Sequence, residues 1–295
     1  MTDKAPTPQT ISFDTILPSA MALRAEAGGV TRAAMDPLAV FVLSLLAGAF
    51  ISFGAVFATT VGAGGIGSDA TLPYGVMRLL TGVVFSVGLV LVVVGGAELF
   101  TGNNMLVMAW ASGKVTTRAV LSNWVVVFAG NFVGAIATAA LVFVSTQYTF
   151  GGGSVGLNAL TIANGKSALA FGPAFMLGIL CNALVCLAVW MCYGARTTID
   201  RVVTIVPPIS AFVAAGFEHS IANIYFIPFG LFIKAGAPDS FWKAIGKTPA
   251  DFPSLTWDNF VFANLIPVTL GNIVGGSVLV AAVYWFVYLR KKPPA

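Results

Sequence analysis

The one histidine of this 295-residue chain, His219, sits beside Glu218 in the stretch Gly216-Phe217-Glu218-His219-Ser220-Ile221-Ala222-Asn223. Apolar sequence flanks it, 202–217 before and 221–233 after. An ionisable pair inside a membrane-length apolar run is costly to keep there, and such residues mark ion paths and proton relays. Imidazole is the side chain whose charge changes near neutral pH, so proton transfer or anion stabilisation is the chemistry to expect of it. A second stretch, Gly96-Ala97-Glu98-Leu99-Phe100-Thr101-Gly102-Asn103, repeats the pattern G-x-E-x-x-x-x-N and also interrupts an apolar run.

Composition sets the medium in which these residues work. The chain is 58% hydrophobic and 9% charged, with a mean hydropathy of +0.92. Globular domains carry about 25% charged residues, so the sequence is that of an integral membrane protein. The formal charge of +4 is spread over short segments between apolar runs and reads as topology, with no nucleic-acid partner implied. Cys181, Cys186 and Cys192 share one apolar segment, which is neither a disulfide framework nor a metal pattern, and no metal or cofactor is expected.

Six apolar segments position the two stretches. Residues 1–36 form a polar N-terminal segment in which Phe13, Ile16, Leu17 and Met21 recur at helical spacing, the pattern of a short amphipathic helix at the membrane surface or on the helix bundle. Asp36-Pro37 is a capped helix start, and the first segment runs over 37–60. The second is apolar over 76–94, breaks at 95–104 and resumes to 111; the third covers 119–147. Residues 148–165 read as an uncharged loop ending at Lys166. The fourth segment covers 171–193, and the fifth starts at 202, breaks at 218–223 and resumes to 233. Residues 234–258 read as a long polar loop, and the sixth segment covers 259–289. The membrane domain is thus 37–289, followed by a 290–295 tail. An even number of segments puts both termini on one side. That side holds ten of the fifteen basic residues, among them Arg24, Arg32, Lys114, Arg118, Arg196, Arg201 and Arg290, against Arg78, Lys166, Lys234, Lys243 and Lys247 on the other. The bias favours cytoplasmic termini.

The halves repeat. The middle segment of each is broken at G-x-E-x-x-x-x-N, and the third carries G-N-x-V-G, at Gly130-Asn131 and Gly271-Asn272. Three segments per half is odd, so the second half enters the membrane inverted, the architecture of transporters whose broken helices meet near the midplane. The fold expected is all-α, six transmembrane segments with two broken, as an inverted 3+3 repeat. A helix broken in the bilayer exposes backbone groups that lipid cannot satisfy. Glu98 and Glu218 are expected to accept from freed N–H groups, and Asn103, Asn223, Asn131 and Asn272 to donate and accept around them. Leu99 stands in the first break where His219 stands in the second, so the shared duty of holding a break does not explain the imidazole.

These motifs resemble the formate–nitrite transporter family. G-F-E-H-S-I-A-N, A-E-L-F-T, N-L-I-P-V-T-x-G-N-I-V-G-G and F-D-T-I-L-P carry the likeness, over roughly 12–290. Glu98 departs from the pattern in place of an aspartate, and Gly102-Asn103 in place of a serine-threonine pair. The resemblance implies an aquaporin-like homopentamer, no enzymatic activity, and one path per protomer for formate or a similar small anion, with protons involved and lipid around it. It implies a central His219 hydrogen-bonded by Thr101, a constriction of Phe85, Leu89 and Phe212 on the cytoplasmic side, and one of Leu99, Phe100 and Val185 on the periplasmic side. Asn182 and Lys166 would line the outer vestibule, and the N-terminal helix would close the inner mouth in response to pH. Nitrite or hydrosulfide is the alternative cargo. Paired N-P-A motifs of a water channel are absent, and an ammonium channel with paired pore histidines is excluded by the single histidine.

Overall fold

The structure, a computed structural model, describes residues 14–65 and 72–290. Phe13, Lys4, Lys291 and Lys292 lie outside them.

The described residues fold into helices and turns. Helix α1, Pro18–Ala33, turns Met21, Ala22, Ala25 and Glu26 inward and packs on the bundle. Asp36 Oδ2 accepts from Ala39 N at 2.9 Å and starts α2, Pro37–Gly62. Helix α3, Tyr74–Gly95, is followed after the first break by the short α4, Phe100–Asn103, a 3₁₀ turn, and α5, Val107–Ala111. Thr116 caps α6, Thr117–Val144. Helix α7, Ser154–Ser167, occupies the stretch expected to be a loop. Helix α8, Phe171–Gly194, precedes α9, Thr198–Ala215, which Thr197 and Asp200 start as a capping box. After the second break come α10, Ser220–Gly236, and α11, Asp239–Ile245, bent 112° from it, so the second long loop is also partly helical. Helix α12, Asn259–Tyr288, is wound as π turns over Asn259–Leu265 and Val274–Ala282. Pro267 inside it has no N–H to give the preceding turn, and wide turns absorb such a gap.

Among the described residues, six helices are long and apolar enough to cross a membrane: α2, α3, α6, α8, α9 and α12. Their outward faces carry large apolar side chains such as Phe53, Leu141, Val203 and Phe262. Water would not tolerate that surface in a monomeric soluble protein; hydrocarbon does.

Glycines let the third segment of each half pack backbone to backbone on its first. A Cβ at Gly134 would stand 2.1 Å from Leu45 O on α2, and one at Gly275 would stand 2.2 Å from Ile179 O on α8. Small residues one turn apart permit this approach.

The missed helix α7 has a counterpart. It precedes α8 as α1 precedes α2, and its penultimate residue, Lys166, lies as far before Leu177 as Arg32 of α1 lies before Leu43. The repeat therefore has a short leading helix in each half besides its three spans. The stretch 148–165 is glycine-rich and nearly uncharged, and its low polarity left the sequence pattern without a helical face to detect.

Candidate functional site

The two breaks are built alike, atom for atom. Gly96 and Gly216 end α3 and α9 in the left-handed conformation, at φ +74° and +78°. That region favours glycine because it has no Cβ. The next strand of chain hydrogen-bonds to the first helix of its own half: Glu98 N donates to Leu43 O and Glu218 N to Leu177 O, both at 3.3 Å. The first N–H of each resuming helix goes to an asparagine of the third segment. Phe100 N donates to Asn131 Oδ1, and Ser220 N to Asn272 Oδ1, each at 2.9 Å. The same asparagines donate through Nδ2 to Ser44 O and Glu98 O in one half, and to Gly178 O and Glu218 O in the other. Two backbone groups of each break, the first N–H of the resuming helix and the glutamate carbonyl, are thus met by one side chain, which is anchored to a carbonyl of the first span.

The expected role of the glutamates changes accordingly. Neither Glu98 nor Glu218 takes a freed backbone N–H, because the asparagine amides reach those first. Each carboxylate instead joins a side-chain cluster. Asn103 Nδ2 donates to Glu98 Oε2 at 2.7 Å and to Asn123 Oδ1 at 2.9 Å. Asn223 Nδ2 donates to Glu218 Oε2 and to Asn264 Oδ1, both at 2.7 Å. The other carboxylate oxygen pairs with a cation from the leading helix, Arg32 Nε at 3.1 Å for Glu98 and Lys166 Nζ at 2.8 Å for Glu218. Burial works against the Arg32 charge, yet Tyr193 and Glu98 beside it hold the guanidinium protonated above its usual range. Sequence reading missed Arg32, Asn123 and Asn264. Asn123 and Asn264 stand at the same distance before Asn131 and Asn272, a match that was available from the repeat.

His219 and Thr101 meet where the halves differ. Thr101 Oγ1 lies 3.1 Å from His219 Nε2. His219 Nδ1 accepts from Ala222 N at 3.1 Å, making the ring the N-cap of α10. A backbone N–H is always the donor, so Nδ1 carries no proton and the neutral ring has its hydrogen on Nε2, aimed at Thr101 Oγ1. Both residues are buried, His219 at 3% and Thr101 at 0% exposure. The Phe212 ring stacks on the imidazole with centroids 5.9 Å apart.

Two cavities approach this centre from opposite ends of the bundle. One, of about 210 Å³, carries Arg32, Leu89, Glu98, Leu99, Tyr193 and Arg201. The other, of about 290 Å³, carries Arg78, Phe85, Lys166, Phe212, Glu218 and His219. This regroups the expected constrictions. Phe85 and Phe212 meet edge to face at 5.7 Å on the Lys166 side, whereas Leu89 faces the Arg32 side together with Leu99. Phe85 and Leu89 are a helical turn apart on α3 and cannot share one level. Phe100 and Val185 line neither cavity; Phe100 packs edge to face on Trp124 and Phe128. Phe226, 6.5 Å from Phe85 and under the Lys166 ammonium at 5.6 Å, belongs to the second cavity and was not foreseen.

Asn182 is also displaced from its expected place. It is fully buried and lines neither cavity. Its Nδ2 reaches Thr101 O at 3.3 Å and Asn104 Oδ1 at 2.8 Å in the first half, and Asn272 O at 2.6 Å in the second.

A model of the formate/nitrite transporter family matches residues 19–286. The chain belongs to that family. Among relatives of this formate/nitrite transporter chain, the formate channel FocA of Escherichia coli strain K12 is 46% identical over 279 residues, covering 95% of this chain and 96% of its own. A probable formate transporter of Methanothermobacter thermautotrophicus is 40% identical, with 85% and 89% covered. A solved pentameric formate channel with formate bound superposes with a TM-score of 0.81 at 44% identity, covering 86% of this chain and 98% of that one. A second solved structure, an ion channel of the same family, gives 0.72 at 28% identity, with 90% and 98% covered. The family, the six broken-repeat spans and the fold expected from sequence are thereby borne out.

Proposed function

We propose that this chain carries formate, and similar small monovalent anions of weak acids, through a path in each protomer of a homopentamer in the bacterial inner membrane, with both termini cytoplasmic. The path runs from the Arg32 cavity across Leu89 and Leu99, past Thr101 and His219, across Phe85 and Phe212, to the Lys166 cavity. The observation that carries the reading is that His219, with Phe85 and Phe212, lines one cavity while Leu89 and Leu99 line the other, Leu99 lying two residues before Thr101, the partner of His219. A relative named for formate transport at 46% identity, and a pentameric neighbour with formate bound, support the cargo and the assembly.

A bare carboxylate crossing an apolar ring loses its hydration, a cost far above that of the neutral acid. Between the rings, the His219 Nε2–H is the donor that an arriving anion meets, and Thr101 holds it in place. The ring's other nitrogen is engaged by Ala222 N–H. A second proton can be taken up on Nδ1 only by giving up the cap on α10, so hydrogen bonding from the neutral ring is the resting role. The positive end of α10, which His219 caps, favours negative charge there.

The test is uptake of radiolabelled formate by purified protein in liposomes, wild type against His219→Phe, with nitrite and hydrosulfide as competitors. A drop in formate flux and an altered pH profile are expected in the variant, and formate is expected to be the preferred cargo. Equal flux and an unchanged pH profile would remove His219 from the mechanism; preference for nitrite or hydrosulfide would move the cargo.

A further inference from the structure

Each cavity holds one closed ion pair and one arginine with no carboxylate partner. In the Lys166 cavity the charged side chains are Arg78, Lys166 and Glu218, and in the opposite cavity they are Arg32, Glu98 and Arg201. Lys166 is tied to Glu218 at 2.8 Å and Arg32 to Glu98 at 3.1 Å. A pair at that distance presents little net charge to an ion approaching from the mouth. Among the described residues neither Arg78 nor Arg201 pairs with a carboxylate. The net charge of each cavity rests on these two arginines.

Both arginines come from the intact end of a broken helix, one helical turn out of register: Arg78 lies 18 residues before Gly96 and Arg201 lies 15 before Gly216. Arg78 comes from the first turns of α3 and reaches the broken end of α9. There Nε donates to Ala214 O at 3.1 Å, Nη2 donates to Val213 O, and Nη2 lies against Gly216, where an added Cβ would come within 3.4 Å of it. Those carbonyls are the negative end of a half-helix, which otherwise faces the second cavity and repels an anion. Arg201, in the first turn of α9, lines the cavity at the broken end of α3, together with Val92, Val93 and Gly96. Each broken helix thus lends an arginine from its intact end to the broken end of the other.

We infer that Arg78 and Arg201 are the anion-attracting residues of the two mouths, and that Lys166 and Arg32 serve chiefly to hold the glutamates of the breaks. This rests on the transport reading above. Its content is electrostatic: a net positive charge in a cleft with low-dielectric walls raises the local concentration of anions, and salt screens it.

The experiment compares full-length wild type with Arg78→Gln/Arg201→Gln and Arg78→Lys/Arg201→Lys in liposomes, measuring initial uptake against anion concentration at low and high ionic strength. Changing both mouths together makes the result independent of the direction of insertion. The glutamine pair is expected to raise KM for the anion about threefold to tenfold at low ionic strength, with the maximal rate retained. It is also expected to flatten the rise of KM with salt expected of wild type. The lysine pair, which keeps charge but cannot grip two carbonyls at once, is expected to restore most of the low KM. An unchanged KM and salt dependence in the glutamine pair would overturn the inference. So would a lysine pair no better than glutamine, which would leave Arg78 only as a cap on α9. Formate and nitrite are run in parallel. If wild type carries nitrite and not formate, the cargo assigned above is wrong, while the arginine comparison is read on nitrite.

Discussion

At the scale of single residues, the repeat acts as an internal control. Positions that match between the halves hold the breaks, and positions that differ are free to do something else. The side chains of Asn131 and Asn272 match in every bond, so Asn131→Ala and Asn272→Ala should cost alike. Each removes the side-chain partner of a buried backbone N–H and of the Glu98 or Glu218 carbonyl, which destabilises by about 2 kcal/mol or more. A matched fall in the thermal midpoint of the detergent-solubilised protein is expected; a loss at only one of the two would break the equivalence. Thr101 and His219 occupy the positions of Ile221 and Leu99 in the opposite half. Thr101→Val keeps the shape but removes the acceptor for Nε2–H. Formate uptake should fall about fivefold, since a lost hydrogen bond of about 1 kcal/mol converts to roughly that factor. Thr101→Ser should retain most of the wild-type rate. Equal rates in the valine and serine variants would show that the hydroxyl has no part.

At the scale of elements, the leading helices decide how the breaks are held. Helix α1 is fixed to the bundle by Arg32 on Glu98 and Tyr193, by Arg24 on Tyr193 O, and by Glu26 on Lys114. Burial pushes the Glu26 carboxyl up, but the hydrogen bonds from Lys114 and Ser112 outweigh it and hold the group below its ordinary value. A depressed carboxylate contributes stability that is complete above the unfolded value of about 4.5 and is lost as pH falls through the lower folded value. Docking of α1 should therefore be unchanged by this group between pH 7 and pH 5, and weaken only in stronger acid. Hydrogen exchange of the α1 amides checks it. Glu26→Gln should speed exchange relative to wild type between pH 5 and pH 7 and converge on it in stronger acid, and a midpoint near pH 6 that vanishes in this variant would contradict the assignment. The third segments depend on close approach: Gly134→Val and Gly275→Val should each separate a helix pair and abolish a stable fold, read as loss of a single peak in size-exclusion chromatography.

Sequence alone carried the breaks, the paired asparagines and the isolation of His219, because each rests on residue types that apolar sequence does not otherwise tolerate. It did not carry the height of Phe85 against Leu89, since apolar residues on one helix look alike until their facing partners are known. It also did not carry α7, whose glycines and small side chains make no amphipathic pattern, nor the pairing of Arg32 with Glu98, which joins residues 66 apart.

At the scale of the molecule, the two halves are related by inversion, so any device at one mouth has a counterpart at the other. The bias of basic residues gives a topological expectation. Tags at both termini should be protected in intact cells, and a tag inserted at Gly246, on the α11 turn between Lys243 and Lys247, should be reachable from outside. A reachable terminus would reverse the orientation.

One contact bears on which parts of this machine move. The Asn182 amide grips Thr101 O and Asn104 Oδ1 from one half and Asn272 O from the other, at the level of the breaks and without solvent access. A clamp across the seam opposes the rocking of one half against the other. The moving parts of the proposed path are then the rings themselves, Phe85 with Phe212 and Leu89 with Leu99. Side-chain rotations need no microsecond-to-millisecond swing of domains, so along the proposed path the cost of passage is the anion's desolvation at the rings and not a rearrangement of the halves.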